Sequence, residues 1–356
     1  MRKIAMTPVW ILQIFGQTKS FVANPIIGSR TLNRLGLHAA RLIAAHALRR
    51  VRITFITPFV PAAQRRAYWR DGFVAVEDFL PKEQFERLKT EINDHGRQLE
   101  VRECIQGDTL THRVLLDDQT LIRLPVCRDV LEQRSFLRLQ NFVAANFKRP
   151  LFYIQRIRNS HRKGNPDPQK NLHSDTFHPT MKAWLFLDDV PLENGPFTYV
   201  PGSHRLTWGR LKWEYNQSVN AGELGNIYSR RGSMRADGDD LKMMGLGAPT
   251  ALAVRGNTLV VADTHGFHCR GPAVGQASRM EIWAYCRTNP YNPFPGTGSR
   301  WVSRLENRLA KMFWRRQDQD AAKKNRSSVW HLVPSEKMFD DPPASQDPSP
   351  RASTAG

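Results

Sequence analysis

Apolar positions recur along this chain at two spacings. Between Thr31 and Arg52 they stand three or four apart, at Leu32, Leu35, Ala39, Leu42, Ile43, Ala47 and Val51. That spacing predicts a helix with one apolar face. Arg30, Arg34, Arg41, Arg49 and Arg50 border the stripe. A second helix of this kind is predicted over 300–326. There Trp301, Leu305, Leu309, Met312 and Phe313 are edged by Arg304, Arg308, Lys311, Arg315 and Arg316. Pro81 opens another helix through about Asp94, with Phe85, Leu88 and Ile92 on one side. A helix pair is expected over 116–147.

Elsewhere the pattern alternates, as half-buried strands do. Strands are predicted at 73–80, 151–157, 182–188, 196–200, 259–262 and 279–287. In the last, Met280, Ile282, Ala284 and Cys286 fall on one face and Arg279, Glu281, Trp283 and Tyr285 on the other. Turn residues separate the strands, as at Gly164-Asn-Pro-Asp-Pro168, Pro201-Gly-Ser-His204 and Gly256-Asn257. Many short strands with turns between them predict a mainly β fold with flanking helices. The expectation is a double-stranded β-helix (a jelly roll, cupin-like) with helices on one side. Residues 206–248 break the rhythm, being polar and glycine-containing, and read either as a lid or as surface padding.

Charge redraws the domain picture. The formal net charge is +19, and it is unevenly placed. Residues 1–70 carry 12 Lys/Arg and no acid, and residues 300–326 carry 9 against 3. The expected organisation is a basic amphipathic extension at 1–66 and a double-stranded β-helix domain at 67–299 with 206–248 as its insertion or lid. A basic amphipathic helix at 300–333 and a disordered tail at 334–356 follow. Basic amphipathic helices suit an anionic membrane surface. The alternative is that their apolar faces pack on the globule or on a partner subunit. Nucleic acid is disfavoured, because no aromatic–basic interleaving accompanies the charge. Four irregularly spaced cysteines, Cys104, Cys127, Cys269 and Cys286, indicate a reducing compartment and no disulfide framework. No apolar run is long enough to span a bilayer. The expectation is a cytoplasmic protein, peripheral on the inner membrane face, with no obligate protein partner evident.

The candidate chemistry lies in Asn171-Leu-His-Ser-Asp-Thr-Phe-His178. Residues two apart on an extended strand share a face, so His173 and Asp175 can aim at one point. Two histidines and one carboxylate around open positions form the facial arrangement of non-haem Fe(II) oxygenases. The second histidine must come from Asp263-Thr-His-Gly-Phe-His-Cys-Arg-Gly271, where His265 and His268 both qualify. His178 and His204 read as neighbouring or structural residues, and Cys269 as a buried neighbour.

His173-x-Asp175, Trp184, Glu193-Asn-Gly-Pro-Phe-Thr-Tyr-Val-Pro-Gly-Ser-His204, His268, Gly271-Pro272 and Arg279 follow one another in an order that resembles the phytanoyl-CoA dioxygenase family of Fe(II)/2-oxoglutarate oxygenases. Asp71-Gly72-Phe…Phe79-Leu80 resembles that family's opening. The resemblance covers about 70–290. It implies iron ligation by His173, Asp175 and the distal histidine. It also implies an arginine, eleven residues after that histidine, pairing with the far carboxylate of 2-oxoglutarate. Arg279 stands eleven after His268, which selects His268 over His265. Trp184 is expected to pack on the co-substrate, and Gln155 is a weaker candidate for a polar contact there. Where the family often has Asn after His-x-x-Gly-Pro, this chain has Ala273.

The implied reaction takes O₂ and 2-oxoglutarate to CO₂ and succinate while hydroxylating a small or lipid-like substrate. Asp175 argues against the family's halogenases, which replace that carboxylate with a small residue. The alternatives are a non-catalytic binding protein on the same fold and a nucleic-acid-modifying oxygenase.

Overall fold

The computed structural model describes residues 2–340. Its strands are β1 (Phe73–Val76), β2 (Val101–Gln106), β3 (Thr109–Leu115), β4 (Leu151–Asn159), β5 (Met181–Phe186), β6 (Phe197–Tyr199), β7 (Thr250–Leu252), β8 (Leu259–Asp263), β9 (His268–Arg270), β10 (Ala277–Cys286) and β11 (His331–Val333). Helices α1 (Arg2–Ile14), α2 (Arg30–Arg34), α3 (Leu37–Thr54) and α4 (Ala62–Asp71) precede the first strand. Then come α5 (Lys82–Gly96), α6 (Asp118–Arg123), α7 (Pro125–Glu132) and α8 (Arg134–Ala144). The chain continues through α9 (Trp208–Val219), α10 (Ile227–Arg230), α11 (Gly238–Met243), α12 (Arg300–Ala322) and α13 (Glu336–Phe339).

Side-chain alternation divides the large sheet into two working faces. On one face Ile154, Ala183, Leu185, Val261, Ile282 and Ala284 pack into the main core with Leu88, Val130, Phe136 and Phe142 of the helices. On the other, Tyr153, Trp184, Phe186, Val260 and Trp283 meet Phe197 and Tyr199 of a second sheet. The predicted split of β10 is therefore the split observed. The helix predicted from Pro81 is α5, and its Phe85, Leu88 and Ile92 are buried.

The jelly-roll expectation is wrong. The large sheet has eight strands in the order β1-β8-β5-β10-β4-β3-β2-β11, and the second only three, β7-β6-β9. Every pairing is antiparallel, and β1 and β11 remain as open edges. The fold is mixed α/β with two open, uncurled sheets, 41% helix against 19% strand. The three strands of the small sheet have three residues each, too little backbone to close a barrel around the large one. The polar stretch 206–248 holds three helices rather than strands. α9 starts at Thr207, whose side chain accepts from Arg210 N, and α11 carries a full capping box at Asp237 and Asp240.

The helix predicted over 31–52 is interrupted at Gly36, which has φ +96°, and its orientation is the reverse of what an apolar stripe suggests. Leu42, Arg41, Arg49 and Arg52 face inward, while Leu32, Leu35, Ile43 and Val51 face solvent. Backbone oxygens make this tolerable. Arg41 donates to the carbonyls of Ile14 and Thr18 at 3.0 and 2.6 Å. Arg52 donates to those of Ala145 and Pro290, both at 3.1 Å, and of Asn292. A buried guanidinium needs such partners. α12 behaves alike: Trp301, Leu305, Leu309, Met312 and Phe313 are exposed. Its polar side holds the body through Lys311–Asp117 and, at 2.8 Å, Arg102–Asp318. Of the expected tail, 334–340 forms α13 and its flanks with Met338 buried; residues 341–356 lie outside the described residues.

The helix-side core predicts its own sensitivity. Ile282 is fully buried at the centre of β10, so Ile282→Ala should lower unfolding free energy by about 2–5 kcal/mol. Urea unfolding followed by circular dichroism measures this, and a loss well under 1 kcal/mol would contradict the packing described.

Candidate metal centre

His173 and His268 come from distant parts of the chain and meet as an antiparallel pair. His173 N donates to His268 O at 3.0 Å, and His268 N to His173 O at 2.9 Å. Their rings lie 4.5 Å apart, centre to centre. Each ring uses Nδ1 on a local carbonyl, that of Asn171 at 2.7 Å and of Gly266 at 2.9 Å. A carbonyl can only accept, so each Nδ1 carries the proton and each Nε2 keeps its lone pair. Both Nε2 atoms are buried without a hydrogen-bond partner. Asp175 Oδ1 sits 3.8 Å from the Nε2 of His173 and 3.9 Å from that of His268. The possible ligand atoms of the three residues lie within 4.8 Å of one another.

The turn that presents His268 is held by Asp263. Its carboxylate accepts from Tyr68 Oη at 3.0 Å, His265 N at 3.1 Å and Thr180 N at 3.2 Å. Its carbonyl accepts from Tyr199 Oη at 2.7 Å. Gly266 is required by close approach: a Cβ there would stand 1.8 Å from Tyr199 Oη. The two site runs are also stitched directly, Asp175 N donating to Thr264 O at 2.9 Å and Thr264 N to Thr180 O at 2.8 Å.

Charge states suit a metal. Burial holds both histidines below their ordinary range, His268 at about 4, so they are neutral at pH 7. Burial pushes the Asp175 carboxyl upward, but Lys182 and the two imidazoles outweigh it and hold it well below the usual carboxylate range. Lys182 Nζ lies 2.7 Å from Asp175 Oδ2, which leaves Oδ1 turned toward the imidazoles. Two neutral imidazoles with free lone pairs and one ionised carboxylate fit a ferrous ion with further positions open.

The remaining predicted residues fall around one cavity of about 290 Å³, lined by His173, Asp175, His268, Trp184, Gln155 and Arg279 among others. Arg279 is clamped by Glu281 at 3.1 Å and by the carbonyls of Asn194 and Gly195 at 3.1 and 2.7 Å. Gln155 bridges Arg113 and Glu281, both at 2.6 Å, so its amide already has partners. Trp184 packs on Phe197, with ring centres 4.5 Å apart. His265 stands apart from the cluster, its Nδ1 on Thr176 O at 2.9 Å and its ring against His46. His178 bonds Pro179 O, and His204 packs on Tyr68.

Sequence reasoning missed Lys182, although it shares the β5 face with Trp184 two residues on. It also missed Lys19, whose ammonium donates to the Asp175 carbonyl from far upstream, and Arg287 at the cavity wall. No local pattern marks either. The insertion 206–248 touches the site: Ser174 N donates to Met234 O at 2.9 Å, and His173 pairs with Arg235.

The family model described as Phytanoyl-CoA dioxygenase (PhyH) matches residues 68–223. That span includes His173, Asp175 and Trp184 and ends before His268 and Arg279. Among solved structures, the non-heme alpha ketoglutarate dependent epimerase SnoN from nogalamycin biosynthesis is 18% identical, covering 64% of this chain and 83% of that one, with a TM-score of 0.41. The carbocyclase SnoK from the same biosynthesis is 19% identical over 69% and 90%, TM-score 0.41. HygX from Streptomyces hygroscopicus, with nickel and 2-oxoglutarate bound, is 15% identical over 64% and 86%, TM-score 0.39. No curated protein matches the chain.

The buried imidazoles set an acid limit for the metal-free protein. Burial lowers His178 and His204 to about 3, whereas an unfolded histidine titrates near 6.5. Between those values the unfolded chain binds protons that the folded one refuses. Stability is therefore complete above about pH 6.5 and falls as pH drops toward 3. Each such histidine should contribute a slope of up to ~1.4 kcal/mol per pH unit. Urea unfolding at pH 7, 6 and 5 should show the decline, with a shallower slope in His204→Gln; an unchanged slope would refute the assignment for His204.

Proposed function

We propose, on the match of residues 68–223 to the family model of phytanoyl-CoA dioxygenase, that the chain is a 2-oxoglutarate-dependent oxygenase that hydroxylates a small or lipid-like organic substrate while 2-oxoglutarate is decarboxylated to succinate. The observation that carries this reading is the convergence of two orphaned imidazole nitrogens on one carboxylate oxygen beside a cavity that ends in a clamped arginine. His173, Asp175 and His268 are the proposed ligands. The ferrous ion, when bound, supplies the oxygen-activating chemistry in company with 2-oxoglutarate.

The protein's own residues do the positioning. The Asn171 and Gly266 carbonyls hold the two rings in the tautomer that donates through Nε2. Lys182 keeps Asp175 ionised and occupies its second oxygen. Arg279 is proposed to bind the far carboxylate of 2-oxoglutarate. Glu281 and two carbonyls engage its Nε and Nη1, so the guanidinium plane is fixed before the co-substrate arrives. Gln155 then acts one step back, tying Arg113 to the Glu281 that orients Arg279. Trp184 and Trp283 form an apolar wall of the cavity and limit water there. The proposed place of work is an anionic membrane surface, touched peripherally: no described helix is long and apolar enough to cross a bilayer.

Succinate release from 2-oxoglutarate with added Fe(II) tests the reading. Wild type should turn over, Asp175→Ala should lose at least about 100-fold, and Arg279→Lys should raise KM for 2-oxoglutarate about tenfold by losing the planar fork. His268→Ala should also lose Fe(II) binding in anaerobic calorimetry. Undiminished succinate release by Asp175→Ala would end the proposal.

A further inference from the structure

Three helices turn apolar stripes away from the body. On α1, Met6, Val9, Leu12 and Phe15 recur every third residue, Leu12 being 72% and Phe15 64% exposed. Leu35, Ile43, Val51 and Phe55 are likewise exposed along and beside α3. Phe294 and Trp301, 72% and 69% exposed, add to this at the approach to α12. Asn289 Nδ2 donates to Phe15 O at 3.1 Å, and Arg52 of α3 donates to the carbonyls of Pro290 and Asn292. Arg52, Phe294 and Val302 line one surface cavity. The end of α1, the end of α3 and the start of α12 thus gather around the loop 288–299. That loop contains no acid, and residues 1–70 contain none against 12 Lys/Arg, of which Arg41, Arg49 and Arg52 are buried and Arg30, Arg34, Arg50, Arg66 and Arg70 are exposed.

We propose that this face docks on an anionic lipid bilayer, and that the group oxidised is the anionic headgroup of a lipid held in that bilayer. The docking half stands on the surface alone; the headgroup half rests on the oxygenase reading above. Exposed aromatic and aliphatic side chains on a positively charged, acid-free ground are the composition of an interfacial membrane contact. Anionic lipid attracts such a surface by about 1 kcal/mol per nearby Lys or Arg. A neutral protein partner would have no use for the one-sided charge.

Two short chain segments connect this face to the metal cluster. Four residues after the exposed Phe15, Lys19 bonds the Asp175 carbonyl, a span of at most about 14 Å. Two residues before Asn289, Arg287 lines the cavity. The cavity's chemistry then selects what enters. Its volume of about 290 Å³ is at the foot of the usual range of about 300–1,000 Å³ for small-molecule sites, and it must also admit 2-oxoglutarate. Its wall carries Arg113, Lys182, Arg270, Arg279 and Arg287. This is no room for a hydrocarbon chain. Arg113, Lys182, Arg270 and Arg279 have partners in Gln155, Asp175, Asp167 and Glu281. Lys19 and Arg287 form no ion pair among the described residues, and Arg287 Nε is buried without a hydrogen-bond partner. Two half-buried neighbouring cations, neither in an ion pair among the described residues, are completed by an anion, and a phosphate or carboxylate headgroup provides one. The balance is that of the proposed reaction: a headgroup C–H, O₂ and 2-oxoglutarate give C–OH, succinate and CO₂, one oxygen atom going to each of the first two.

Vesicle flotation of the full chain tests the docking. Phosphatidylcholine vesicles containing phosphatidylglycerol should carry the protein up at 0.1 M salt, and about tenfold less at 0.5 M. Pure phosphatidylcholine should carry little. The double variant Leu12→Glu with Phe15→Glu, both exposed, should melt as wild type does and lose vesicle binding about tenfold or more. Absence of binding to the anionic vesicles, undiminished binding by the double variant, or dimerisation that the variant abolishes in place of vesicle binding would overturn it. None of those results touches succinate release, so the two readings fail separately. Calorimetry with glycerol phosphate, gluconate and neutral glycerol, each in the presence of 2-oxoglutarate, tests the headgroup. At least one of the two anions should bind about tenfold more tightly than glycerol, which separates phosphate from carboxylate, and Arg287→Gln should erase the preference. Equal binding of all three, or a preference that survives in Arg287→Gln, overturns it.

Discussion

The two hydrogen bonds exchanged between the backbones of His173 and His268 are the constraint on which the site depends. They join a loop that precedes β5 to the start of β9, and so tie the large sheet to the small one. Side chains alternate along paired strands, so a slip of one residue would turn one imidazole away from the cavity. Register is therefore protected from both sides. Asp175 N and Thr264 N fix the neighbouring backbone, and Asp263 gathers Tyr68, His265 and Thr180 on its carboxylate while Tyr199 takes its carbonyl. The apolar contacts of Trp184, Phe197 and Tyr199 then fill the space between the sheets, and no protein donor satisfies the two Nε2 atoms.

Arginine placement explains the rest of the surface. In a chain this basic, guanidinium groups would be expected to stay in water and apolar stripes to turn inward. Arg41, Arg49, Arg52, Arg102 and Arg210 are buried instead. Most of their partners are carbonyl oxygens at helix ends and in loops, groups that would otherwise lack donors. Arg210 illustrates the logic: it pairs with Glu214 at 2.8 Å and also reaches the carbonyls of Ser203 and His265, both at 3.2 Å. Arg210 thus holds the residues beside the metal cluster to α9. The consequence lies on the outside. A helix that spends its polar face on the interior has only its apolar face left for the surroundings.

Much of the fold was legible where burial follows a simple period. α5 and the alternation of β10 were readable, because each has one apolar side and one neighbour to pack on. The closed β-barrel was not supported, and the reason is specific. Counting short strands says nothing of how many residues each contributes to a ladder, and β6, β7 and β9 contribute three apiece. The helices of 206–248 were hidden because their caps are polar and their buried residues few: Trp213, Leu241 and Met244 do the packing. For α3 the period was right and the direction wrong, since hydrophobicity ranks an arginine as an outward residue and has no term for three carbonyls waiting inside.

The candidate site divides along the same line. His173 and Asp175 announce themselves by local spacing, and the interval from His268 to Arg279 is a strand-and-turn length that survives in sequence. The eleven-residue interval to Arg279 had already favoured His268 over His265, and in the structure the two part company: His265 gives its Nδ1 to Thr176 O and its ring to His46, while His268 is bridged to His173. Lys19 is the opposite case. Its position depends on Arg41 holding the carbonyls of Ile14, Gly16 and Thr18, on Phe21 N bonding Arg230 O, and on Gly232, where a Cβ would meet the Lys19 carbonyl at 2.2 Å. Three separate regions must fold before that ammonium has a place. A residue whose role is set by so many distant partners leaves no periodic trace, because nothing near it in the chain needs to match it.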